Sequence, residues 1–111
     1  MAKIYRLAPV RAPAFVTAHK YSSTSLLVKW NRLPEEDFRG QRISYNITYY
    51  PAEVESDISF VRVNFTRNTT TLTNLAVYTI YVINVSAVSS GGIGPANTAK
   101  AQTDVKGTEA Y

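Results

Sequence analysis

The side chains best suited to chemistry are few and scattered in this 111-residue sequence. His19 is the only histidine, and it lies in a polar stretch before Tyr21, Ser22 and Ser23. A hydrolase needs a base of near-neutral pKa held beside a nucleophile, and no such pair is indicated here. The sequence also lacks cysteine and any glycine-rich phosphate loop that opens a helix. We therefore expect a protein without catalytic residues, cofactor or bound metal.

Three consecutive acidic residues stand out in the sequence. Glu35, Glu36 and Asp37 offer oxygens to calcium, which takes about six to eight oxygen ligands from a converging cage. Consecutive side chains in a loop point apart, so a solvated acidic loop is the better interpretation. Loops of this kind often contact partners. The candidate contact residues here are Pro34, Glu35, Glu36, Asp37, Phe38 and Arg39.

Basic side chains give the chain a formal net charge of +4. Lys3, Arg6 and Lys106 against Glu109 place half of this excess near the two ends, which leaves a weak positive field in between. Basic residues are not interleaved with exposed aromatics as they are in single-strand binders, so no nucleic-acid partner is expected. A heparin or glycosaminoglycan site is the alternative to be kept. Its side chains would be Lys29, Arg32, Arg39, Arg42 and Arg62.

Asparagine sequons are the strongest chemical signal in the sequence. An asparagine followed two residues later by serine or threonine accepts an N-linked glycan in secreted proteins. Asn46 and Asn84 alternate with apolar residues, so glycans there would lie on the outer face of a sheet. These sequons predict an extracellular module with partner sites on its loops and edges. The four acceptors are Asn46, Asn64, Asn68 and Asn84.

Period-two alternation of apolar and polar residues predicts the strands that position these groups. Tyr45, Ile47 and Tyr49 form the clearest case, and six further β-prone segments are separated by turn signals. No segment has a helical period. The pattern predicts an all-β fold, a seven-stranded antiparallel β-sandwich. Its predicted core consists of Trp30, Tyr45, Ile47, Leu75, Tyr81, Ile83 and Val85.

Residues 75–81 have the spacing of a tyrosine corner, in which a tyrosine hydroxyl binds backbone a few residues upstream. Leu75, Thr79 and Tyr81 supply this pattern. An immunoglobulin domain would carry a cysteine two residues after the tyrosine, and here that residue is Ile83. The corner therefore indicates a cysteine-free relative of that fold.

Trp30, the strand of Tyr45, the corner of Tyr81 and the hairpin at Gly92 together resemble a fibronectin type III domain over residues 9–104. The resemblance implies an immunoglobulin-like sandwich of fibronectin type III topology, with flanking linkers at residues 1–8 and 105–111. The hairpin lacks the Arg-Gly-Asp triplet of integrin-binding members. It is a second candidate partner loop, with contacts at Ser90, Gly91, Gly92 and Ile93.

The same resemblance implies a noncatalytic extracellular module of a cell-surface receptor or adhesion protein, similar to repeats of neural adhesion molecules and receptor tyrosine phosphatases. Such a module is a spacer between neighbouring domains of its own chain and a surface for another cell-surface or matrix protein. The isolated domain is expected to be monomeric, and only the parent protein would attach it to a membrane. The alternatives are a heparin-binding matrix module and an accessory domain of a secreted enzyme.

Overall fold

A computed structural model describes residues 7–106 of the chain. The predicted flanking segments 1–8 and 105–111 lie largely outside these residues. The described part contains seven strands and one helical turn. In chain order these are β1 (Ala14–Ser22), β2 (Ser25–Asn31), α1 (Glu35–Phe38), β3 (Arg42–Pro51), β4 (Ser59–Asn64), β5 (Thr69–Leu72), β6 (Ile80–Ser89) and β7 (Gly92–Gln102).

The strands form two antiparallel sheets. One has the order β1-β2-β5 and the other β4-β3-β6-β7. The register of the larger sheet is fixed at its centre, where Tyr45 on β3 lies opposite Val63 on β4 and Ala87 on β6. The predicted seven-stranded antiparallel sandwich is confirmed.

The core lies between the two sheets and is built from alternate residues of each strand, as expected for a sandwich. Three aromatic rings occupy its centre. The ring of Tyr45 lies 5.4 Å from that of Trp30 and 5.9 Å from that of Phe38, centroid to centroid. Such tilted and edge-on contacts are favoured by aromatic quadrupoles. The buried core residues include Trp30, Tyr45, Ile47, Leu75, Tyr81, Ile83 and Val85.

The helical turn α1 was not predicted, because four residues are too few to show a helical period. Asp37 N–H donates to the carbonyl of Pro34 at 3.0 Å, and Arg39 ends the turn in the left-handed conformation with φ of 57°. The acidic residues lie in its first turn, where the helix dipole favours negative charge. The segment predicted as an irregular loop is thus a short ordered element.

The chain enters the sandwich at one end and leaves it at the other. At the exit end, Asp104 N–H donates to Ser22 O at 3.1 Å, and its carbonyl accepts from Tyr78 N–H at 3.0 Å. The ten residues of β6 connect this end to the other. At roughly 3.4 Å per residue, they separate entry and exit by about 30 Å.

Candidate functional site

Two connections meet at the entry end, the segment between β2 and β3 and the turn between β6 and β7. Ser90 N–H donates to Gln41 O at 2.9 Å, and Gln41 N–H donates to the Ser90 hydroxyl at 3.1 Å. These bonds join the two predicted partner loops into one surface. We call this surface, residues 32–41 with residues 89–94, the loop end.

Phe38 does not belong to the exposed part of the loop end. Its side chain is only 1% exposed and packs against Tyr45 in the core. The prediction of Phe38 as a partner contact is therefore wrong, because the apolar ring anchors α1 to the sandwich. Pro34, Glu35 and Glu36 are exposed on the same element.

The segment preceding β1 is held against the loop end. We call residues 7–10 the entry segment. The Ser89 hydroxyl donates to Leu7 O at 2.7 Å, and Arg39 Nε donates to Ala8 O at 2.9 Å. Val10 N–H donates to Asp37 O at 2.9 Å. The entry segment is therefore bound through its backbone by both loops.

Gly91 is required where the hairpin passes over the entry segment. A Cβ at this position would lie 2.2 Å from the carbonyl carbon of Leu7, far inside van der Waals contact with backbone. At Gly94 the corresponding distance to Pro9 Cβ is 2.8 Å. The sequence predicts Gly91 on a partner surface, whereas the structure places the entry segment against it. The closely spaced glycines of the hairpin were the sequence feature that could have indicated a close backbone approach.

Two of the three acidic side chains of the loop end are paired with arginines. Asp37 Oδ2 lies 2.9 Å from Arg11 Nε, and Glu35 Oε2 lies 3.7 Å from Arg42 Nη2. Glu36 is exposed. Among residues 7–106, no group of three or more His, Cys, Asp or Glu side chains is placed to hold a metal ion.

The candidate heparin-binding side chains are distributed over both sheets and several have intramolecular contacts. Arg32 Nη1 donates to Thr66 O at 3.1 Å, and the guanidinium of Arg42 lies 4.7 Å from the centre of the Phe65 ring. Arg62 Nε donates to Asn46 Oδ1 at 3.0 Å. Lys29 is exposed on β2, in the other sheet. A polyanion would have to recruit Arg32, Arg42 and Arg62 from these contacts.

The four sequon asparagines occupy distinct environments. Asn46 on β3 and Asn84 on β6 face outward from the four-stranded sheet, since they alternate with buried core residues. Asn64 ends β4, and Asn68 directly precedes β5. Asn64 and Asn68 are exposed, Asn84 is half-buried and Asn46 is buried.

The only histidine, His19, is exposed on β1 at the edge of the three-stranded sheet, and no nucleophile is seen paired with it among the described residues.

A shallow pocket lies at the exit end and is lined by residues that include Pro51, Val54, Tyr78 and Ile80. Within residues 7–106, none of the helices has the length and apolar character to cross a bilayer.

Seven strands in two sheets, a buried central tryptophan and a tyrosine at the start of β6 define an immunoglobulin-like β-sandwich. The family model of the fibronectin type III domain matches residues 11–104, and the chain belongs to this family.

The chain is similar to segments of much longer animal proteins. The chain is 31% identical to protein sidekick-2 of Mus musculus over 81% of its length and 35% identical to contactin-1 of Gallus gallus over 79%. It spans only 4% and 8% of these relatives. The solved fn3 domain of human contactin 1 is 30% identical, with a TM-score of 0.79, over 94% of this chain and 86% of that one.

Proposed function

We propose that this chain is a noncatalytic extracellular module of a cell-surface receptor or adhesion protein and that it fixes the relative orientation of its neighbouring domains. The observation that carries this proposal is the bound entry segment. Ser89 and Arg39 donate to the carbonyls of Leu7 and Ala8, and Gly91 permits the close backbone approach. A linker held by its backbone transmits orientation, whereas a solvated flexible linker does not.

The exit end supports the same role. Asp104 is bound to backbone on both sides, at Ser22 and Tyr78. Entry and exit therefore attach to the same rigid sandwich at points about 30 Å apart. The relatives sidekick-2 and contactin-1 are much longer than this chain, which matches less than a tenth of the length of each. The matched segment therefore has neighbouring domains or segments in those proteins.

A second cell-surface or matrix protein would contact the exposed side chains of the loop end. Pro34, Glu35 and Glu36 on one loop and Ile93 on the other face solvent, and the Ile93 side chain is 59% exposed. Loops held by a rigid scaffold are the usual place for recognition in sandwich domains. The bonds between Ser90 and Gln41 give the surface a fixed shape.

The extracellular location rests on the family relatives and on the sequons. The relatives are proteins such as sidekick-2 and contactin-1. In addition, four asparagines of this chain lie in acceptor sequences for N-linked glycans. The arginines proposed for heparin are committed to Thr66, Phe65 and Asn46. These contacts favour a protein spacer over a polyanion-binding module.

Backbone ¹⁵N relaxation of the isolated chain tests the spacer role. Leu7, Ala8 and Val10 should have order parameters near those of the strands, about 0.85. Values below about 0.6 at these three amides would contradict the proposal, because they would describe a flexible linker. Val82 on β6, which is paired with β3 on one side and β7 on the other, supplies the rigid reference.

A further inference from the structure

The four sequons are not equivalent in the folded module. We propose that Asn64 is an N-glycan acceptor in the folded, secreted protein, and that Asn46, although it lies in a sequon, is not. This inference rests on the proposed extracellular location. It assigns the oligosaccharide to one site and a structural role to the other.

Asn64 lies where a glycan can project into solvent. It is the last residue of β4, an edge strand of the four-stranded sheet, and it is exposed. Its Oδ1 accepts from Thr66 N–H at 2.9 Å and from the Thr66 hydroxyl at 2.8 Å. Both bonds use the oxygen and neither uses Nδ2, the atom that is glycosylated.

The contact between Asn64 and Thr66 is specific to this sequon among the described residues. Thr66 is the hydroxyl residue that the acceptor sequence requires at the second position after asparagine. The other asparagines with side-chain hydrogen bonds use different partners. Asn84 Oδ1 accepts from Thr98, and Asn46 Oδ1 accepts from Arg62. Within residues 7–106, only Asn64 has a hydrogen bond between its side chain and its own sequon hydroxyl.

Asn46 is enclosed by its neighbours. It lies at the centre of β3 opposite Arg62 on β4 and Ser86 on β6, and only 9% of its surface is exposed. Arg62 Nε donates to its Oδ1 at 3.0 Å, and the Ser44 hydroxyl lies 3.5 Å from the same atom. Because so little of Asn46 is exposed, a bulky sugar on Nδ2 would have to displace side chains of the adjacent strands. A chain glycosylated at Asn46 is thus impeded from reaching this fold.

The chemical step is the ordinary transfer from a lipid diphosphate oligosaccharide. A bond forms between Asn64 Nδ2 and the anomeric carbon of the sugar, while the bond from that carbon to the phosphate oxygen breaks. The lipid diphosphate leaves with the bonding electrons, and one Nδ2 proton passes to a base of the transferase. The chain supplies only the acceptor amide.

A glycan on Asn64 would limit which side of the loop end a partner can approach. Thr66 O accepts from Arg32, and the shallow pocket beside it is lined by residues that include Leu33, Arg42 and Phe65. The glycan would cover this side. The hairpin with Ile93 follows β6, on the far side of β3 from β4, and would remain open.

Peptide mapping of the chain secreted from a eukaryotic host tests the assignment. Trypsin cleaves after Arg42, Arg62 and Arg67, so Asn46 and Asn64 fall on separate peptides, residues 43–62 and 63–67. Enzymatic deglycosylation in ¹⁸O water marks each formerly glycosylated asparagine as labelled aspartate. We expect the label on the 63–67 peptide and its absence from the 43–62 peptide of the folded fraction.

Variants separate the sites. Asn64→Gln and Thr66→Ala should each increase the gel mobility by the equivalent of one glycan. Thr66→Ser should retain the glycan, and Asn46→Gln should leave the gel mobility unchanged. Circular dichroism is the check that each secreted variant is folded. An ¹⁸O label at position 46 of the folded protein, or no label at position 64, would overturn the assignment of the glycan to Asn64. Neither result would bear on the spacer role, which the ¹⁵N relaxation measurement tests separately. Failure of the wild-type chain to be secreted folded would instead count against the extracellular location.

Discussion

The hydroxyl of Tyr81 lies 2.8 Å from the backbone nitrogen of Ala76 and accepts its hydrogen. This bond closes the connection between β5 and β6 five residues upstream of the tyrosine, which is the geometry of a tyrosine corner. The ring itself is buried, with 6% of the residue exposed, and lies 6.5 Å from the ring of Tyr49. One side chain thus contributes both to the core and to the turn at the exit end.

Tyr81→Phe removes the hydroxyl and leaves the ring. We expect the free energy of unfolding to fall by about 1–2 kcal/mol, because the Ala76 N–H loses its partner. Chemical denaturation measures the change. Tyr21→Phe is the matched control, since the Tyr21 side chain is 68% exposed on β1. Equal midpoints for Tyr81→Phe and wild type would show that the corner bond does not stabilise the fold.

Tyr45→Phe tests the buried hydroxyl at the other end of the sandwich. Leu33 N–H donates to this hydroxyl at 2.8 Å, and its loss should cost about 1–3 kcal/mol because both groups are buried. Burial raises the pKa of Tyr45 above its ordinary value of 10.0, against smaller lowering effects of the Leu33 hydrogen bond and of Arg32 and Arg42.

The raised pKa gives a pH dependence with a definite sign. The folded state holds the Tyr45 proton more tightly than the unfolded state, so this contribution to stability is complete below the unfolded pKa of about 10 and is lost as pH rises through the folded pKa. Denaturation curves between about pH 9 and pH 11 should show a steeper loss for wild type than for Tyr45→Phe. Parallel losses would contradict the buried assignment.

Trp30 contributes to stability through packing. Its Nε1 is buried and has no hydrogen-bond partner among the described residues, while its ring packs against Tyr45. Trp30→Ala should lower the free energy of unfolding by about 3–5 kcal/mol. Trp30→Phe keeps an aromatic ring and loses no hydrogen bond, so we expect it to cost less than half as much. Equal costs of the two variants in denaturation would contradict ring packing as the source of the stability that Trp30 contributes.

Phe38→Ala tests the anchoring of α1. Removing this 1% exposed ring leaves a cavity beside Tyr45, and we expect a loss of about 3–5 kcal/mol in the free energy of unfolding. Glu36→Ala on the exposed side of the same turn should stay within about 0.5 kcal/mol of wild type. If the two variants were equally stable in urea, Phe38 would not be a core residue.

The strands and their buried faces could be predicted from the sequence because alternation is a local property. Tyr45 and Ile47 follow the pleat directly, and Tyr81 follows the spacing of the corner. Phe38 was misassigned because its burial depends on Tyr45 and the facing sheet, while its neighbours are all polar. The burial of Asn46 depends in the same way on Arg62 of the adjacent strand.

The entry segment could not be predicted from local pattern either. Leu7 and Ser89 are 82 residues apart in sequence, and Arg39 reaches Ala8 across 31 residues. Neither contact leaves a periodic signature. The glycines of the hairpin indicated a tight turn, whereas the close approach of Leu7 to Gly91 is a tertiary feature.

In the proposed spacer, one rigid sandwich holds the chain at both its entry and its exit. Because the chain has no cysteine, Leu7→Cys and Val105→Cys place two spin labels uniquely, and both native side chains are partly exposed. Double electron–electron resonance should give one narrow distance distribution, centred at or above about 30 Å. Adding Gly91→Ala should broaden it, because the new Cβ displaces the Leu7 backbone. A broad distance distribution in the labelled protein that retains Gly91, with no further change on Gly91→Ala, would contradict a rigidly held entry segment.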